Sequence, residues 1–199
     1  MSEKKLPNSR PQLPASDVRK IVAAKAPGKT VALLGIRGYY RDSMGKPGAN
    51  DRGIYDDAMF LVTPTQVVAF NANTDPSIFR KRIATLKPGV WTYETGFHGI
   101  SRGNPYPALR QSGDVTVTRD DLNGEFTGQF AINIHRGGLK TTSSEGCQTI
   151  PPYQWREFIG GVYAALGVPA GEAGARKRAK ITYVLETRAE AEKIMGRSL

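Results

Sequence analysis

Two side chains in one short stretch of the sequence could carry out nucleophilic chemistry. Cys147 is the only cysteine of the 199-residue chain, and His135, one of two histidines, lies twelve positions before it. Only roughly 3% of a free thiol is ionised at neutral pH, so a nucleophilic cysteine needs a base, a cation or a helix N-terminus beside it. The intervening segment RGGLKTTSSEG is rich in glycine and serine and can fold back. This spacing predicts that the imidazole reaches the sulfur.

The residues around Cys147 fit the same chemistry. Gly146 allows a tight backbone conformation that leaves the sulfur uncovered. The N–H of Cys147 and that of a neighbouring residue could then form an oxyanion hole. A lone cysteine is more often a small buried apolar residue, and a lone histidine at a strand end is more often a hydrogen-bonded polar residue. The polar, glycine-bearing loop around Cys147 favours the nucleophile.

The elements that must position these side chains are mostly strands. Alternating or β-rich segments recur between turns that contain glycine and proline, and one of them, QFAINIH, ends on His135. AMFLVTPTQVVAFNA predicts a hairpin that turns near Pro64-Thr65. Regular βαβ alternation is absent, so the sequence predicts a mainly β or α+β fold with a few flanking helices.

Two segments predict helices. YQWREFIGGVYAALG has apolar side chains three and four positions apart, and SDVRKIVAAKAPGK has Ser16 as a candidate N-cap. AKITYVLETR predicts a closing strand, followed by a last helical piece in AEAEKIM. Residues 1–15 are polar, basic and contain proline, which predicts a flexible arm before a single catalytic domain over residues 16–199.

The motif around the cysteine resembles that of a known family. A strand-terminal His-x-Gly (135–137), a Gly/Ser-rich loop and Ser-x-Gly-Cys (144–147) resemble the catalytic motif of L,D-transpeptidases (YkuD-like). TLKPGVWTY is similar to the Pro-Gly-x-aromatic segment upstream of that motif, and ITYVLE is similar to the closing strand. The resemblance extends over about residues 30–187 in the order of elements.

This resemblance implies a YkuD-like β-sandwich and an acyl-enzyme reaction without a cofactor or metal. A cysteine of this family attacks a peptide carbonyl in peptidoglycan stem peptides, at a bond between an L-centre and a D-residue. The acyl group then passes to an amine or to water. Carried onto this chain, Cys147 is the nucleophile and His135 its base, while Ser144 and Gly146 complete the catalytic motif by shaping its loop.

The chain also departs from the family pattern. The family often has a second histidine where this chain has Glu145, and an apolar residue where Gln148 follows the cysteine. The spacing from His135 to Cys147 is shorter than is common in the family. These differences indicate a divergent member, and they leave hydrolysis and transfer both open.

A second group of residues is predicted to bind substrate. His98 lies near Arg102 and Arg110, whose guanidinium groups suit carboxylates. Asn133 is two positions before His135 and shares its strand face, and Arg136 follows within the motif. His98 could instead be a surface histidine, or the base itself, and Asn133 could be a cross-strand polar partner.

Two other function classes remain open on the sequence. His98, His135 and Cys147 could be the three ligands of a catalytic zinc, as in some cell-wall amidases. Alternatively, the net charge of +10 could belong to a basic, non-enzymatic nucleic-acid-binding protein. No recognition motif or interleaving of aromatic and basic residues supports nucleic acid as the partner. The resemblance to L,D-transpeptidases makes a peptidoglycan peptide the expected partner.

The N-terminal sequence bears on location. MSEKKLPNSRPQLPASD has basic residues but no apolar stretch after them, and no apolar run in the chain is long enough to span a bilayer. The expectation is cytoplasmic synthesis without a signal peptide. Action on the cell wall would then require phage lysis or a non-Sec route, whereas a cytoplasmic enzyme would trim recycled stem peptides.

Overall fold

The fold is a mixed α+β structure that is mostly β, as the sequence predicts. The computed structural model describes residues 5–199. Its elements, in chain order, are α1 (Ala15–Lys25), β1 (Ala32–Arg37), β2 (Asp57–Val62), β3 (Val67–Ala72), β4 (Ala84–Leu86), β5 (Gly89–His98), β6 (Tyr106–Gln111), β7 (Val115–Arg119), β8 (Leu122–Gly128), β9 (Ile134–Arg136), β10 (Gln148–Ile150), α2 (Pro152–Ala165), α3 (Glu172–Ala175), β11 (Lys180–Thr187) and α4 (Arg188–Met195).

Eight of the strands form one sheet whose edges meet. The strand order is β10-β9-β6-β5-β11-β1-β2-β3, and β4, β7 and β8 form a separate three-stranded sheet. Asn73, just after β3, pairs with Thr149 of β10 through two backbone hydrogen bonds of 2.9 and 2.8 Å. The large sheet therefore curves until its two edge strands are in contact, which leaves few unpaired edge groups near β10.

Alternate residues of the sheet supply two apolar cores. Leu33, Met59, Phe70 and Tyr183 belong to a core that also includes Trp155 and Phe158 of α2. On the other face, Leu34, Phe60 and Val184 pack against α1 and α4. Within residues 5–199, no helix combines the length and the apolar character needed to cross a bilayer.

Most of the predicted elements are present, with three differences. The β2–β3 hairpin, α2, β11 and α4 lie where the sequence predicts them. Ser16 is not an N-cap, because α1 begins at Ala15 after Pro14 and has no side-chain cap. The strand predicted over QFAINIH is only three residues long, at Ile134–Arg136. β6, β8 and β10 lie in segments for which the sequence pattern predicts no strand.

The N-terminal segment is attached to the domain where it is described. The predicted flexible arm covers residues 1–15, of which 1–4 lie outside the described residues. The carbonyl of Lys5 accepts a hydrogen bond from the N–H of Tyr55, and that of Ser9 accepts one from the Tyr40 hydroxyl. Arg10 makes two hydrogen bonds with Glu157 of α2. The described part of the arm is therefore packed against the rest of the domain.

Candidate functional site

The register of two short parallel strands brings Cys147 close to the β9 strand. Gln148 of β10 pairs with Ile134 of β9, so Cys147 lies opposite Asn133. The N–H of Gln148 donates to the Asn133 carbonyl at 2.8 Å. In return, the N–H of Asn133 points to the sulfur of Cys147 at 3.4 Å. His135 is two positions further along β9, on the same face as Asn133.

The next two strands add the other predicted side chains to this face. Leu109 of β6 pairs with Ile134, and His98 of β5 pairs with Tyr106 of β6. Because side chains alternate along a strand, the residues that share this face are His98, Tyr106, Arg110, Asn133 and His135. The sheet register thus assembles residues that are up to 37 positions apart in the sequence.

A network of hydroxyl hydrogen bonds fixes the turn before Cys147. The Ser144 hydroxyl accepts from the N–H of Gly146 at 3.0 Å and donates to the carbonyl of Cys147 at 2.7 Å. The N–H of Ser144 donates to the Ser77 hydroxyl at 2.7 Å, and the Ser77 N–H donates to the Ser144 carbonyl at 2.9 Å. The Ser144 hydroxyl therefore holds the backbone of the turn, and it is not hydrogen-bonded to the sulfur of Cys147.

Glycine is required at position 146 for two reasons. Its φ is +122°, in a region that residues with a side chain rarely adopt. A Cβ placed there would also lie 2.3 Å from the carbonyl oxygen of Ala84 and 2.9 Å from the Cδ1 of Ile132. The Ser-x-Gly-Cys pattern is thus explained by the turn that presents Cys147.

The site opens into a basic groove. Cys147 lines a cavity of about 590 Å³ together with His98, Arg102, Arg110 and Asn133. A second cavity, which shares Arg102 and His98, is lined by Tyr106, His135 and Arg136. Glu145 is the acidic residue on the wall, and it forms an exposed ion pair with Arg80 at 2.9 Å. The three arginines make the groove suited to an anionic ligand.

His135 is held as a neutral imidazole with a defined tautomer. Burial, followed by the neighbouring His98, lowers the pKa of His135 to about 4. Its Nδ1 lies 2.8 Å from the carbonyl oxygen of Arg136. Because a carbonyl only accepts, Nδ1 carries the proton and Nε2 keeps a free lone pair. This is the form of histidine that acts as a general base.

His98 stacks on His135. The two ring centroids are 3.9 Å apart and the planes differ by 12°. Nδ1 of His98 is buried and has no hydrogen-bond partner in the described part of the chain. Burial first, and then Arg110 and Arg102, lower the pKa of His98. His98 is therefore a neutral ring beside His135, and it also forms part of the groove wall.

Cys147 is a protonated thiol in this structure. Burial raises its pKa to about 11, against the opposing effects of the Asn133 N–H and the Arg110 charge. The sulfur is 3.6 Å from the Ala131 carbonyl oxygen, to which its S–H donates. Neither imidazole of the described chain is hydrogen-bonded to it, so the contact between the His135 imidazole and the sulfur that the spacing predicts is not made as a hydrogen bond here. The Cys147 N–H has no acceptor within residues 5–199, as an oxyanion donor requires.

The arrangement of the two imidazoles does not suit the zinc alternative. The lone pairs of stacked rings lie in parallel planes, so they do not converge on one ion in the way that tetrahedral zinc ligands do. The described residues contain no group of three or more His, Cys, Asp or Glu side chains that could hold a metal. His98, His135 and Cys147 therefore do not form a ligand set in this conformation.

The structure also identifies site residues that sequence reasoning missed. The Tyr106 hydroxyl lies 3.5 Å from Nδ1 of His135, and the Arg136 guanidinium lies 4.9 Å from the centre of the Tyr106 ring. Arg136, which the sequence predicts to bind substrate, thus lies over the ring of Tyr106 at the exposed edge of the groove. Ser77 was missed because its contact with Ser144 spans 67 positions, and no local pattern signals such a contact.

Comparison with known proteins gives no relative for this chain. No family model, no curated protein and no solved structure matches it.

Proposed function

We propose that this protein is a cysteine acyl-transfer enzyme of the L,D-transpeptidase type, with a YkuD-like sandwich, that acts on peptidoglycan stem peptides. The observation that carries the proposal is that the register of β9 and β10 sets three groups on the same side of the sheet. These are the single thiol of the chain, a neutral histidine with its proton fixed on Nδ1, and a free backbone N–H at a glycine turn.

The first half of the reaction follows from these groups. The sulfur of Cys147 turns from the Ala131 carbonyl toward Nε2 of His135, which takes the thiol proton as the sulfur attacks the peptide carbonyl. The N–H of Cys147 donates to the oxyanion of the tetrahedral intermediate. The C–N bond breaks, the imidazolium returns its proton to the leaving amine, and a thioester remains on the sulfur.

The second half regenerates the thiol. Water or an amine attacks the thioester and loses a proton to His135, the C–S bond breaks, and the proton returns to the sulfur. Water yields the free acid, and an amine yields a new amide. The groove is open on the side of Cys147, so either acceptor can reach the thioester.

The groove chemistry supports a stem-peptide substrate. Stem peptides carry carboxylates, and Arg102 and Arg110 lie beside Cys147 in the groove. Arg110 is held in place by a hydrogen bond of 3.1 Å from its guanidinium to the Phe97 carbonyl. A fixed cation beside the nucleophile would orient a carboxylate close to the bond that is cut.

The proposal is tested with purified cell-wall fragments. The wild-type protein is incubated with disaccharide-peptides. The masses of the products and of the intact protein are then measured by mass spectrometry. Because Cys147 is the only thiol, an acyl adduct that hydroxylamine removes at neutral pH and that Cys147→Ala does not form is assigned to it. The products also distinguish hydrolysis from transfer.

The controls separate loss of chemistry from loss of fold. Cys147→Ala and His135→Ala are expected to abolish product and keep the wild-type circular dichroism spectrum. Lys193→Ala, an exposed change on α4 far from the groove, should leave the rate unchanged. Turnover by Cys147→Ala, or no reaction of the wild type with any stem peptide, would contradict the proposal.

A further inference from the structure

A second polar cluster lies outside the proposed active site. Eight buried side-chain nitrogen or oxygen atoms of residues 5–199 have no hydrogen-bond partner. Four of the eight are side-chain oxygens of asparagine or aspartate: Oδ1 of Asn50, Asp56, Asn73 and Asp75. Asp56 and Asn73 are 0% exposed and Asp75 is 4% exposed. Unpaired buried oxygens are costly, and a bound cation would give all four of them a partner.

The contacts of these residues place them in one location. The Asn50 amide donates to Oδ2 of Asp75 at 2.5 Å, and the Asn73 amide donates to the Asp75 carbonyl at 2.5 Å. The N–H of Asp51 donates to Oδ2 of Asp56 at 2.9 Å. The β2–β3 register continues one position beyond Asp57 and Ala72, which sets Asp56 opposite Asn73. Side chains opposite each other across two strands are within contact distance.

The neighbouring Asp57 is not part of this group. Its Oδ1 accepts from the N–H of Gly38 at 2.6 Å, and its Oδ2 accepts from the N–H and the hydroxyl of Thr74 at 2.6 and 2.8 Å. The cluster therefore has two carboxylates and two amide oxygens with free lone pairs. The described residues contain no group of three or more His, Cys, Asp or Glu side chains that could hold a metal. This cluster is of a different kind, because two of its four oxygens come from asparagine.

We propose that Asn50, Asp56, Asn73 and Asp75 bind a calcium ion. Calcium takes carboxylate and amide oxygens in a flexible geometry, and it can lose most of its water in a buried site. Magnesium keeps several waters and suits this enclosed group less well. The site holds the glycine-rich loop before β2 against the segment that follows β3.

The buried charges around the site suit a cation. Asp56 and Asp57 are 0% exposed and Asp75 is 4% exposed, so three carboxyl groups are enclosed in this part of the fold. Bound calcium would offset the cost of burying their negative charges.

The site also connects to the turn before Cys147. Asp75 is two positions before Ser77, whose hydroxyl and N–H hold Ser144. Asn73 pairs with Thr149, two positions after Cys147. A calcium ion at this place would therefore stabilise the segment on which the turn rests, without touching the reacting groups.

The test is thermal unfolding of the full chain at pH 8, after EDTA treatment and dialysis, with calcium chloride or magnesium chloride added. Calcium at a hundredfold excess over its dissociation constant is expected to raise Tm by about 5 °C or more. Titration calorimetry on the wild type should give one calcium per chain. No calcium response, or an equal response to magnesium, would overturn the assignment.

Variants test whether these four residues are the ligands. Asp56→Asn and Asp75→Asn keep the side-chain shape, and each is expected to weaken calcium binding at least tenfold. Asp114→Asn, which changes an exposed carboxylate bonded to Gln129, should keep the wild-type response. If both ligand variants fold and bind calcium like the wild type, the ion binds elsewhere. If they do not fold, Asn50→Ala, at the least buried of the four positions, is measured instead, and unchanged calcium binding in that variant would likewise place the ion elsewhere.

Discussion

At the scale of single residues, the proposed chemistry depends on the proton of His135. The ring is buried, stacked on His98 and bonded through Nδ1 to a carbonyl, and each of these contacts favours the neutral form. A neutral base can take a proton only from an acid beside it, and the thiol of Cys147 is the acid that the register brings to the same sheet face. In the proposed reaction the proton is therefore transferred during the attack, without a preformed thiolate.

The buried His135 should make stability depend on pH. Its pKa is about 4 in the folded protein, against a usual value near 6.5 in the unfolded chain. Between these values the unfolded chain binds a proton that the folded protein does not, so the free energy of unfolding decreases as the pH falls from 6.5 to 4. The loss from this group is roughly 2–3 kcal/mol.

Denaturant unfolding of the wild type and His135→Gln between pH 4.5 and 7.5 measures this effect. The difference in unfolding free energy between the two proteins should increase with pH and level off above about pH 6.5. Asp56 and Asp75 have raised pKa values, so they lower the free energy of unfolding as the pH rises. Both proteins contain these residues, so their contribution cancels when the two free energies are subtracted. A difference that does not change with pH would show that His135 is accessible to protons.

The thiol of Cys147 should be a poor nucleophile toward small reagents. Its pKa of about 11 leaves far less thiolate at pH 7 than free cysteine has, so alkylation by iodoacetamide should be on the order of 100-fold slower. The rate should rise about tenfold per pH unit up to about pH 10. The urea-unfolded protein is the matched control, and fast alkylation of the folded protein at pH 6 would instead indicate a Cys147–His135 ion pair.

At the scale of elements, the turn from Ser144 to Cys147 determines where the sulfur lies. We expect Gly146→Ala to displace the turn, because the new Cβ would overlap the Ala84 carbonyl. A displacement of about 1 Å can reduce the rate about a hundredfold. Gly113→Ala is the matched control, since Gly113 also has a positive φ, +104°, but no atom within 4 Å of the position that a Cβ would take.

We compare Gly146→Ala with Gly113→Ala by measuring the rate of acyl-enzyme formation and the thermal stability of each variant. Gly113→Ala should cost about 1 kcal/mol of stability and keep the wild-type rate. Wild-type activity in Gly146→Ala would show that the turn does not control the position of the sulfur.

The sequence predicts this part of the structure unevenly. Local patterns predict the β2–β3 hairpin, α2 and the closing strand, because their periodicity and turn residues lie within a few positions of each other. The pairing of β9 with β10 and the Ser77–Ser144 contact depend on the three-dimensional register, which no local pattern encodes. For the same reason the sequence alone could propose that His98 and His135 are neighbours but could not predict that they stack.

At the scale of the whole molecule, the net charge of +10 should control adsorption to the cell wall. Attraction between exposed charges decreases as the Debye length shortens from about 10 Å at 0.1 M salt to about 3 Å at 1 M. Binding of the Cys147→Ala protein to purified sacculi should therefore weaken at least tenfold over this range. Binding to a neutral polysaccharide is the control, and retention that is independent of salt would argue against a charge-driven association.

The packing of α1 against α4 has a practical consequence. Lys20 bonds the Met195 carbonyl and Arg197 bonds Asp17, so the described N-terminal helix and the C-terminus lie side by side. Both helices contact β1, which is four strands from β9 in either direction around the sheet. A fluorescent label, an affinity handle or a tethered cargo joined at the C-terminus would thus project away from the groove.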